Sequence, residues 1–149
     1  MQLVYAECLN GYLDRNEYRL KDRGTIEKDT DEDFKLWDKK KFEQEIKKNY
    51  AESLKNESIL KSTPLKNYKE ILEFEKIEKV ESKSLYDYVI QANIDYYVES
   101  SNIYFKNFSS NPLSEKFYDL YEFKNTPFES LKNETILNLV RLLQKLEND

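Results

Sequence analysis

The chain has 149 residues, 36% charged and 39% hydrophobic, with 24 basic against 29 acidic side chains and a net charge of −5. It contains no histidine and a single cysteine, Cys8. Those counts exclude Ser-His-Asp and Cys-His catalysis, a histidine pH switch, an intramolecular disulfide and almost every zinc site.

Aromatic residues make up 14% of the chain, with Tyr 12 and Phe 8, which argues for a packed core rather than disorder. Only two glycines and three prolines occur. A β-rich protein of this size needs more turn residues, so helices are favoured. The spacing predicts a mainly α fold, residues 1–149 forming one small helical domain of about five helices with an N-terminal β-hairpin. The alternative is an α+β fold with a small antiparallel sheet.

Residues 2–21 carry competing signals. Asn10-Gly11, between QLVYAECL and YLDRNEYRL, is a strong short hairpin signal because a type I′ turn needs positive φ at both positions. The helical reading places Tyr5, Leu9, Tyr12 and Leu13 on one face and tolerates Gly11 at a cost. The hairpin is preferred here. The same N-terminal stretch lacks a basic lead and a continuous apolar run, so no signal peptide is expected, and no stretch reaches membrane-spanning length. A cytoplasmic protein is the expectation.

An acidic run follows, Glu27 to Asp33. Asp29, Asp31 and Asp33 match the opening of a calcium loop, but Phe34 stands where glycine makes the turn and Lys40 where a glutamate should close the site. A cap explains the run better: Thr30 and Asp33 form a capping box for a helix over 31–54, broken near Asn49. Phe34, Trp37, Phe42, Ile46, Tyr50 and Leu54 trace its apolar stripe, while Lys39, Lys40, Lys41, Lys47 and Lys48 interleave with acids on the solvated side. Thr63-Pro64 restarts a helix over 65–80, with Leu65, Tyr68, Ile71, Leu72 and Phe74 inward.

Ser84 and Asp87 form a capping box for a helix to about Val98. Its apolar residues cover so wide an arc that burial on two sides is expected. After a connector and a short helix over 115–123, Thr126-Pro127 with Glu129 opens the strongest amphipathic stretch, 126–146. Phe128, Leu131, Thr135, Leu139, Leu142, Leu143 and Leu146 share its inner face.

Residues 52–60, ESLKNESIL, and 129–137, ESLKNETIL, differ only at Ser58 and Thr135. Upstream, Lys41-Phe42 aligns with Lys116-Phe117, and Lys48-Asn49 with Lys124-Asn125, if two residues are inserted. Duplication of a helical hairpin accounts for this, with related halves at about 31–62 and 114–146.

No glycine-rich phosphate loop, nucleophile elbow or metal-ligand pattern is present, so neither an enzyme nor a cofactor is expected. The expected function is a non-enzymatic protein-interaction module, of inhibitor or immunity type, that sequesters a partner protein. Its candidate contact residues are Asp29, Asp31, Glu32, Asp33, Tyr86, Tyr97, Tyr104, Tyr118 and Tyr121, because tyrosine suits interfaces and acidic clusters can stand in for phosphates. The alternatives are a helical accessory subunit of a nucleoprotein complex, touching phosphates through Lys39, Lys40, Lys41, Lys47 and Lys48, and a carboxylate-based metal enzyme.

Overall fold

A computed structural model describes residues 1–21, 33–72, 83–101, 116 and 119–148. Among these, α-helices dominate and no strand occurs; the single extended pairing is an isolated bridge between Pro64 and Ser84. Contacts divide the chain into two compact units, Met1–Val89 and Ile90–Asp149.

In the first unit, residues 2–21 form one helix, α1 (Gln2–Lys21), so the expected hairpin and the α+β alternative are both corrected. The balance of energies explains why. A helix places Leu3, Ala6, Leu9, Leu13 and Leu20 on one buried side. Burying each leucine is worth roughly 1.5–3 kcal/mol, whereas one glycine inside a helix costs only about 0.5–1 kcal/mol. The Asn10-Gly11 signal is therefore outweighed.

α1 packs against α2 (Lys39–Ser53), which buries Phe42, Ile46, Asn49 and Tyr50. Rings lock the pair: Tyr12 stacks on Phe42 with centroids 5.4 Å apart, and Trp37 meets Phe42 edge-on at 5.3 Å. Asn49 does not break α2; its side-chain amide donates to the Glu45 carbonyl one turn back, at 2.8 Å.

The helix expected from residue 31 begins later. Asp33 caps a short 3-10 turn over Phe34–Leu36, accepting from the Lys35 amide at 3.0 Å. Trp37 and Asp38 are extended, and the Asp38 carboxylate accepts from the Lys41 amide at 2.7 Å to start α2. Two successive aspartate caps thus divide what periodicity joins. Thr30 lies outside the described residues.

A turn at Leu54–Asn56 leads to α3 (Glu57–Ser62), stopped by Thr63 in extended conformation before Pro64. The helix expected over 65–80 appears in its described part as a 3-10 turn, Leu65–Tyr68, and a further turn. Pairing explains the difference: the Leu65 amide donates to the Lys83 carbonyl at 2.9 Å and the Leu85 amide to the Thr63 carbonyl at 2.8 Å. Leu65 is fully buried, but Ile71 is exposed rather than inward. Phe74 lies outside the described residues.

Ser84 and Asp87 form the expected capping box. The Ser84 amide donates to Asp87 Oδ2 at 2.7 Å, and the Asp87 amide to Ser84 Oγ at 3.3 Å. The helix they open, α4 (Leu85–Ser101), is buried over a wide arc: Tyr86, Val89, Ile90, Asn93, Ile94, Tyr96 and Tyr97 are all inside.

In the second unit, α5 (Leu120–Asn125) is capped by Asp119, and α6 (Glu134–Asn148) packs on it. The expected start of α6 at Thr126 is corrected. Thr126 instead ends α5, its amide donating to the Glu122 carbonyl at 2.9 Å. The true start is Asn133, whose side chain accepts from the Ile136 amide at 3.1 Å. Phe128 and Leu131 are buried as expected, but from the connecting segment, where they join Phe123 and Val140 in the core. Gln144 donates to the carbonyls of Phe123 and Thr126 at 2.6 and 2.9 Å, satisfying the end of α5 that helix geometry leaves open.

Candidate interaction face on α1

The residues singled out from the sequence are placed very differently. Asp29, Asp31, Glu32, Tyr104 and Tyr118 lie outside the described residues. Asp33 is exposed and serves as a cap. Tyr86 is buried, and the Lys61 ammonium sits 4.9 Å from its ring centroid, a cation–π contact tying α3 to the start of α4. Tyr97 is buried too. Burial pushes its phenol above the ordinary tyrosine value, against a hydrogen bond with Asn138, and the neighbouring Glu134 carboxylate raises it further. These two rings are core components of their units. Tyr121 is on the surface, 76% exposed, next to exposed Leu120.

The lysines over 39–48 are largely engaged by acids. Lys39 reaches Glu17 at 2.8 Å and Glu43 at 3.8 Å, and both Lys41 and Lys48 reach Glu45. The bond from Lys39 holds the Glu17 carboxyl below its usual range and raises Lys39 itself. Among the described residues no cluster of three or more potential metal ligands occurs, and no helix is long and apolar enough to cross a membrane.

A surface the sequence reading did not single out stands on α1. On the side opposite its buried leucines, Val4, Cys8, Gly11, Arg15 and Tyr18 follow one another at alternating steps of four and three residues. That spacing keeps side chains in a single seam along a helix. Val4 is 51% exposed, Tyr18 is 84% exposed, and Cys8 and Arg15 are exposed as well. Tyr5, Tyr12 and Arg19 line one edge at seven-residue intervals; Glu7 and Asp14 line the other. Burial pushes the Glu7 carboxyl above its ordinary value. Arg15 and Arg19 make no ion pair among the described residues.

The two ends of the face differ in chemistry. Toward the N-terminus it is apolar and small, through Val4, Tyr5, Cys8 and Gly11. Toward the C-terminus Arg15, Tyr18 and Arg19 stand together, beside a depression of about 340 Å³ lined among the described residues by Tyr12, Asn16, Arg19 and Leu20. Asn16 is fixed by its side-chain amide donating to the Tyr12 carbonyl at 2.8 Å. Such a strip offers contact area and hydrogen bonding but no nucleophile–base pair. Its signal was present in the sequence as the four-three spacing, which a hairpin scatters over two strands and only a helix gathers.

Comparison with known proteins gives no matching family model, no matching curated protein and no matching solved structure.

Proposed function

We propose that the chain is a non-enzymatic protein-interaction module, of inhibitor or immunity type, that sequesters a partner protein through the outer face of α1. The observation that carries this reading is the exposed seam of Val4, Cys8, Arg15 and Tyr18 with Tyr5 at its edge, on a helix whose other side already builds the core. Aromatic and arginine side chains are the residues that most often dominate binding energy at protein interfaces. Exposed apolar groups in a contiguous patch favour a contact role over a merely solvated surface. The carboxylates around Lys39, Lys41 and Lys48 weigh against phosphate binding by that helix.

A tagged chain and its Tyr5→Ser/Tyr18→Ser variant, passed over lysate of the source cell, test the reading. The wild-type chain is expected to retain a stoichiometric protein that the variant loses, with both melting alike because neither tyrosine is buried. Recovery of the same protein by both, or of none by either, removes this face as the binding surface.

A further inference from the structure

We infer that the occupant of the α1 face is a single amphipathic helix of the partner, carrying its own apolar stripe and a cluster of carboxylates at one end. This rests on the interaction reading above and adds the partner's shape and charge.

Shape comes from the seam. Steps of four and three over Val4, Cys8, Gly11, Arg15 and Tyr18 are the repeat along which one helix lies nearly parallel to another. From Val4 to Tyr18 the strip covers about 21 Å of the 20-residue α1 at 1.5 Å per residue, matching a helix and exceeding a single loop contact. Gly11, with Cys8 one turn before it, lowers the middle of the strip. Among the described residues a Cβ built on Gly11 would meet only Arg15 Nη2, at 3.9 Å, so a partner side chain can settle there between Tyr5 and Tyr18.

Charge comes from the C-terminal half. Arg15 lies in the seam and Arg19 at its edge, neither paired among the described residues, while the nearby Glu17 is held by Lys39. Covering these guanidinium groups with an apolar or basic surface would strand them; carboxylates opposite them satisfy them, and arginine pairs with carboxylates through two parallel hydrogen bonds.

The same pattern disfavours a second copy of this chain as the occupant. Parallel pairing of two α1 helices in register would set Arg15 against Arg15. Antiparallel pairing would bring the Glu7–Asp14 edges of the two copies together. Either arrangement costs like-charge repulsion at the contact. A single-stranded nucleic acid could stack on the tyrosines and reach the arginines, but Glu7 and Asp14 would face its phosphates along the whole edge.

Two synthetic helical peptides of 21 residues test the inference on the full chain; each carries leucines at four-three spacing, with glutamates at one end in the first and lysines there in the second. The glutamate peptide is expected to bind about tenfold more tightly, and Arg15→Glu/Arg19→Glu is expected to reverse that order. Equal binding of both peptides, or preference for the lysine peptide by the wild-type chain, overturns the inference. So does saturable binding of an oligothymidine of similar length, or a dimer in sedimentation that the double arginine variant disrupts. Failure of both peptides, while partner recovery still depends on Tyr5 and Tyr18, overturns the helical occupant and leaves the interaction reading standing.

Discussion

Residues 52–60 and 129–137 carry almost the same nine side chains, yet they occupy different structures. In both, a helix starts at the same place: Glu57 after Asn56 in the first, Glu134 after Asn133 in the second. The first backbone bonds also match, Leu60 amide to Asn56 carbonyl at 3.0 Å and Leu137 amide to Asn133 carbonyl at 2.9 Å. Everything else diverges. Glu52 and Ser53 end α2, whereas Glu129 and Ser130 form a turn. Ile59 is 62% exposed on a six-residue helix; Ile136 packs beside the core on a fifteen-residue one. The short-range signal Asn-Glu sets a helix start, while burial and the residues beyond the repeat set its length and worth.

The largest effect that comparison implies lies just beyond the repeat, where α6 runs on and α3 stops within two residues. Leu139 is 6% exposed in the second unit, whereas its counterpart in the first copy is Ser62, an exposed residue at the end of α3. Truncation leaves a cavity its neighbours cannot close, so Leu139→Ala should cost about 2–5 kcal/mol in denaturant melts. Lys132→Ala, at an exposed position before the helix, should change stability by no more than about 0.5 kcal/mol. Similar small losses at both would mean that α6 does not anchor its unit.

The caps separate the copies next. Asn133 accepts from the Ile136 amide, whereas Asn56 makes no side-chain capping bond. Asn133→Ala should therefore destabilise by about 1 kcal/mol, and Asn56→Ala by less than about 0.5 kcal/mol. Equal losses by chemical denaturation would show that the two starts are energetically alike.

Local signals and context compete in the same way at Gly11, and here the residues show what could be read in advance. Ser84 and Asp87 were legible because both halves of their capping box lie within three residues and, among the described residues, nothing else claims either side chain. The wide burial of α4 was legible because apolar groups surround it. Thr126 was misleading: Thr-Pro resembles a helix start, but that threonine already ends α5, and Asn133 supplies the competing cap. Trp37-Asp38 hid a break inside a continuous apolar stripe, since periodicity does not register a cap. Asn10-Gly11 misled most, because reading a turn there erased the α1 face entirely. Gly11→Ala decides between the two conformations. In the helix the added methyl meets, among the described residues, only Arg15 Nη2 at 3.9 Å, so stability should rise by about 0.5–1 kcal/mol. A hairpin turn requiring positive φ would instead be destabilised by alanine. A rise in melting midpoint with more helical signal supports α1; a fall returns the segment to the hairpin.

The smallest expected effect is at the one position where the copies differ. Ser58 is exposed and Thr135 half-buried, so the extra methyl could be blamed for the longer helix of the second copy. Physical reasoning assigns the difference elsewhere. Serine and threonine have nearly the same helix propensity, separated by no more than a few tenths of a kcal/mol. What stops α3 is Thr63, held extended at φ −95° and ψ 114° by the proline that follows, and no proline follows Glu134 within α6. Ser58→Thr makes the nonamers identical and should change stability by less than about 0.5 kcal/mol. Amide exchange in that variant should still show protection ending near Ser62. Protection spreading past Thr63, or a gain well above about 0.5 kcal/mol, would transfer control of helix length from the flanking sequence to the repeat itself.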